Sequence, residues 1–131
     1  MKTIINSPKL AKPSGYSHGI LAQGRTLYLS GQPGLDASGK VIAPGDLVAQ
    51  FKLALENIQT VVVQAGGKMT DVVKITFYVR DRNDYKSKLK PIGAVYKSFF
   101  QGYYPATTLV EISDLFDDGA LIEIDATAMI E

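Results

Sequence analysis

Apolar and β-branched residues alternate with polar ones through Gly19-Ile20-Leu21-Ala22-Gln23, and after Gly24-Arg25 the run Thr26-Leu27-Tyr28-Leu29-Ser30 follows. A period of two, broken by glycine, predicts two strands joined by a tight turn. Gly31-Gln32-Pro33-Gly34 and Asp36-Ala37-Ser38-Gly39-Lys40 are dense in residues that tolerate positive φ or break ladders, which predicts a loop able to carry function. The period then changes. Leu47, Phe51, Leu55, Ile58 and Val62 recur at helical spacing, with Asp46 placed as N-cap and Gly66-Gly67 as terminator.

The period of two returns in Val72 to Val79, where Val73, Ile75, Phe77 and Val79 share one face and Lys74, Thr76 and Tyr78 the other. A second helix is expected from Asn83-Asp84 to Phe100, with Leu89, Ile92, Val95, Tyr96 and Phe99 as its stripe. Pro91 interrupts it. Proline removes a helical hydrogen bond and clashes with the preceding turn, so the helix should restart with Pro91 in its first turn. Thr107 to Ile112 and Ala120 to Ile130 read as two further strands; in the last, Ile122, Ile124, Ala126 and Ala128 line one face and Leu121, Glu123, Asp125, Thr127 and Met129 the other. The order β-β-α-β-α-β-β predicts a single α/β (α+β) domain over 1–131, with one mixed sheet and both helices on the same face. The opposite face is too apolar for water and too polar for a core, which points to a subunit interface.

Composition narrows the class. The chain has 131 residues, 46% of them hydrophobic, enough for one core of ordinary size. No apolar run approaches the roughly 18 to 20 residues that cross a bilayer, and the N-terminus has no long apolar stretch or cleavage site, so a cytoplasmic protein away from the membrane is expected. Cysteine is absent, which removes disulfides and thiolate chemistry, and without histidine or cysteine partners the acidic residues Glu111 and Asp114 do not suggest a metal site. The net charge is +1. Lys86, Lys88 and Lys90 read as a solvated helix face rather than a basic stripe, so nucleic acid is not an expected partner.

The segments Ser14-Gly15-Tyr16-Ser17-His18-Gly19, Leu29-Ser30-Gly31-Gln32, Gln50 to Gly66, Asp71-Val72-Val73-Lys74, Tyr96-Lys97-Ser98-Phe99-Phe100, Tyr104-Pro105-Ala106 and Ile122-Glu123-Ile124-Asp125-Ala126 occur in an order and spacing that resembles the reactive-intermediate deaminase (Rid, YjgF-type) family over nearly the whole chain. The resemblance implies a chorismate-mutase-like fold and a homotrimer whose sheets form a central barrel, with small-molecule clefts between subunits. It also implies hydrolysis of reactive enamines and imines, such as 2-aminoacrylate and 2-iminopropanoate, to the 2-keto acid and ammonia, without metal or cofactor. By the same resemblance, Glu123 takes the place of the water-positioning catalytic glutamate, Tyr16 that of the N-terminal tyrosine and Gly31 that of the strand-end glycine. Gly93 falls where the family has a helix asparagine, and Tyr104 precedes the Pro-Ala pair.

One departure stands out. The family's carboxylate-clamping arginine follows Pro-Ala, and here that place is Thr107. Losing a bidentate arginine partner from a desolvated cleft costs about 2 to 5 kcal/mol, whereas a neutral hydrogen bond returns about 0.5 to 1.5 kcal/mol. Thr107 therefore predicts a neutral or hydroxylated ligand, or a substrate held mainly by Gly31 backbone groups, Glu123 and aromatic rings, unless Arg25, Arg80 or Arg82 enters the cleft. Two readings of Glu123 stand, a catalytic group or a hydrogen-bonded interface carboxylate. Tyr16 and Tyr104 serve as ligand contacts or as packing rings, and His18 reads as a loop histidine rather than a general base. Three functions follow: an imine or enamine deaminase with a changed substrate, a metabolite-binding trimer without turnover, and, weakest given the charge and single histidine, an endoribonuclease.

Overall fold

The last strand fixes the layering. In β6 (Ile122–Ile130) every second side chain from Ile122 to Ile130 is buried, and Glu123, Asp125, Thr127 and Met129 between them are half-buried on the other face. The computed structural model describes residues 1–131 and gives β6 two antiparallel neighbours, β3 (Arg25–Pro33) and β4 (Val72–Val79). Strand β5 (Ala106–Glu111) runs parallel to β4 at the sheet edge, so the order β3-β6-β4-β5 is the mixed sheet expected.

Helix α1 (Leu47–Gln64) starts where Asp46 accepts the Ala49 N–H at 3.0 Å. Its stripe of Phe51, Leu55, Ile58 and Val62 is fully buried, each side chain contributing about 1.5 to 3 kcal/mol. Pro91 acts as expected: α2 (Arg82–Ser87) ends, and α3 (Leu89–Phe100) begins with Pro91 in its first turn. Phe51 of α1 meets Phe77 of β4 edge-on, ring centroids 5.5 Å apart, and Phe77 meets Tyr96 of α3 at 6.0 Å. Both long helices therefore cover one face of the sheet. Gln50 is buried among these apolar residues because its amide is fully engaged: Nε2 donates to the Ala43 and Gly119 carbonyls at 3.3 and 3.2 Å, and Oε1 accepts the Leu121 N–H at 2.8 Å.

Four expectations need correction. β2 (Gly19–Ala22) does not form a hairpin with β3; it pairs with an unforeseen strand, β1 (Lys2–Ile5), in a separate two-stranded ribbon. The alternation marks strands but not partners, and the ladder edge of β3 is taken by β6. Gly24, at φ +147, turns the chain past the end of β6, where a Cβ would lie 2.6 Å from the Ile130 carbonyl oxygen. The loop expected at Gly31 begins later, since β3 continues to Pro33 through a bulge in which Ser30 and Gly31 together oppose Asp125. In β4 a second bulge at Val73 puts Val72 rather than Val73 in the core. Leu121, expected on the polar face, precedes β6 and packs against the core edge.

Candidate active site

The six residues singled out by sequence fall into two concavities on opposite faces of the sheet. Gly31 and Glu123 lie together on the face away from the helices, and Tyr16, Gly93, Tyr104 and Thr107 lie together on the helix side. Within one chain the structure does not join the two groups.

The first concavity, of about 310 Å³, is built on the β3 bulge. Its geometry depends on glycine: a Cβ on Gly31 would overlap the Glu123 carboxylate and come within 2.9 Å of its Cδ. The side chain of Glu123 thus occupies the space Gly31 leaves. Partial burial raises the Glu123 pKa above the ordinary carboxylate value, and the nearby charges of Asp117 and Asp125 push in the same direction. Asp125 is otherwise engaged, because the Tyr78 hydroxyl donates to its Oδ2 at 3.2 Å and the aspartate charge in turn raises the phenol pKa. Phe116, on the loop before β6, is 96% exposed at the rim. Tyr78 and Phe116 also line this concavity and were not singled out by sequence; the polar face of β4 carries the only signal for Tyr78.

The second concavity, of about 570 Å³, lies between α3, the β4–β5 edge and the segment around Tyr16. That segment is docked on the start of β5: the Ser17 N–H donates to the Pro105 carbonyl at 3.2 Å, and the Ser17 hydroxyl donates to the Tyr104 carbonyl at 2.5 Å. Tyr16 is thereby held near Tyr104 and Thr107. The Thr107 hydroxyl donates to the Pro105 carbonyl at 2.8 Å, so its proton is already committed. Tyr96 lies beside it, its buried hydroxyl near Thr107 but without a hydrogen bond of ordinary geometry. Burial raises the pKa of Tyr96, and of Tyr85 to about 12, so both stay neutral phenols at physiological pH.

No charged side chain lines this second cavity. Arg80 is instead paired with Asp114 at 3.5 Å, and neither Arg25 nor Arg82 borders the space. His18 is a structural group: Nδ1 accepts the Ser7 N–H at 3.0 Å, which leaves the proton on Nε2, and Nε2 lies 2.8 Å from the Ala11 carbonyl.

Sheet order, helix placement and the glycine-seated carboxylate define an α+β protein of the chorismate-mutase-like type. The family described as endoribonuclease L-PSP matches residues 6–130, and the chain belongs to this Rid (YjgF-type) family. A rat protein named 2-iminobutanoate/2-iminopropanoate deaminase is 36% identical over 128 residues, covering 98% of this chain and 89% of that protein. A RutC family protein from Pyrococcus horikoshii is 38% identical over 132 residues, covering all of both chains. The crystal structure of a Rid-family protein of unknown function from Yersinia pestis superposes with a TM-score of 0.86 at 34% identity, covering 98% of each chain. No helix is long and apolar enough to cross a membrane.

Proposed function

We propose that the protein is a deaminase-like hydrolase of imines and enamines, whose substrate is recognised without a cationic clamp. The observation that carries this reading is Glu123: a carboxylate of raised pKa seated in the notch left by Gly31. The rat relative's name supports the reaction class. In the homotrimer we infer, the outer face of one protomer's sheet meets its partner, so that Gly31 and Glu123 of one copy complete the cleft begun by Tyr16, Gly93, Tyr104 and Thr107 of the next.

The chemistry asks little of the protein. An enamine first tautomerises to the imine, whose carbon is electrophilic. Glu123 takes a proton from a water as the water oxygen bonds to that carbon, giving a carbinolamine. It returns that proton to nitrogen. As the C–N bond breaks and the C=O bond forms, the carbinolamine hydroxyl gives up its own proton through the same carboxylate to the departing nitrogen. A carbonyl compound and ammonia leave, and Glu123 is again a carboxylate. A glutamate with a raised pKa is a better base and a readier proton donor near neutral pH than an ordinary one. The uncharged lining around Thr107 favours a second reading, a metabolite-binding trimer without turnover.

The deciding experiment follows ammonia release from imines generated in situ, 2-imino acids by an amino-acid oxidase and uncharged imines by an amine oxidase. Accelerated release from the uncharged imines is expected, lost by about 10²- to 10⁴-fold in Glu123→Gln. Thr107→Arg should move the preference toward 2-imino acids by roughly 100-fold. A background rate with every imine sinks the hydrolase and leaves the binding reading, whereas full activity in Glu123→Gln overturns the role given to Glu123.

A further inference from the structure

Helix α3 carries a glycine that the helix itself does not need. Gly93 is its fifth residue, its φ is not positive, and a Cβ built there meets no heavy atom within 4 Å. Glycine inside a helix is less favourable than alanine because it loses more backbone freedom on folding. At Gly31 and Gly24 the cause is visible, in the overlap with Glu123 and in the positive φ and close backbone respectively. At Gly93 the open space is the aromatic cavity.

We propose that Gly93 is a specificity determinant, its missing side chain opening this cavity to a bulky, uncharged substituent of the ligand, of about the size of a phenyl or phenol ring. The inference rests on the reading of this cavity as half of the ligand cleft. The volume of about 570 Å³ is within the range of small-molecule sites. Phe77, Tyr85 and Tyr104 offer ring faces and edges, and Leu89 and Ile92 of α3 offer aliphatic surface. An anionic substituent would lose its water and gain no cation, since no charged side chain borders the space. Tyr96 contributes to the wall beside Thr107, its hydroxyl buried there rather than presented to the cavity. Thr107 and Gly93 then act together: one removes the demand for a carboxylate, the other makes room for what replaces it.

Calorimetric titration with benzamide, benzoate and acetamide, on the wild type, Gly93→Ala and Gly93→Leu, tests this, with thermal melting of all three proteins. Benzamide should bind the wild type at least about tenfold more tightly than benzoate or acetamide, a difference of about 1.4 kcal/mol. Gly93→Leu should weaken benzamide by about tenfold or more, and Gly93→Ala by less. Gly93→Ala should also melt about 2 to 5 °C higher, because alanine is the better helix former. The inference is overturned if benzoate or acetamide matches benzamide, if no aromatic probe binds, if filling position 93 leaves benzamide affinity unchanged, or if Gly93→Ala melts lower. Ammonia release on the same preparations separates this from the catalytic reading. Gly93-dependent benzamide binding without turnover removes the deaminase and keeps the inference; turnover of uncharged imines without aromatic binding does the reverse.

Discussion

Glu123 holds its proton more tightly in the folded chain than in the unfolded one, and that has a thermodynamic consequence besides its chemical one. With the folded pKa raised, its contribution favours the folded state below the unfolded-state value and is lost as pH rises through the folded value. Glu123→Gln removes this dependence. The variant should therefore melt higher than the wild type at neutral pH, and the gain should vanish on acidification to below the ordinary glutamate range; a melting difference independent of pH would contradict the raised pKa. Gly31 and Glu123 were both legible from the family resemblance, but the reason they belong together was not. It is steric: the bulge turns a backbone position toward β6, and only a residue without Cβ leaves space for the carboxylate.

Among the elements, the two amphipathic helices and the last strand were legible because their periods follow from burying one face against one layer. The β1–β2 ribbon was not, since a four-residue segment such as Lys2–Ile5, with every residue exposed, leaves no burial pattern to read. The bulges in β3 and β4 escaped for a related reason: strict alternation is what a sequence reading assumes, and a single inserted residue reverses inside and outside beyond it. Gln50 shows how elements are tied together by one polar group. Replacing it with leucine keeps the volume but leaves the Leu121 N–H and the Ala43 and Gly119 carbonyls without this partner. A loss of about 1 to 3 kcal/mol is expected from urea unfolding of Gln50→Leu, with the helix content of the native state unchanged.

At the scale of the whole molecule, the proposed trimer requires the outer sheet face to be an interface between copies. Tyr28, 80% exposed, pairs in register with Thr127 on this face, and Lys74, Thr76 and Tyr78 of β4 continue it. If copies of the chain close over it, light scattering should give three chain masses for the wild type, and Tyr28→Asp, which buries a charge in that contact, should shift the mass to one. A wild-type monomer with measured turnover would require both half-sites to work apart. By itself the sequence determined the helical periods and the restart at Pro91, because these depend on local sterics, and the threonine at 107 is a departure that only the family resemblance made legible. Only the tertiary structure decided that β3 pairs with β6, that Glu123 sits in the notch of Gly31, and that the candidate residues divide between two faces of the sheet. Those facts depend on which distant segments share hydrogen bonds and space, and no local pattern encodes that choice.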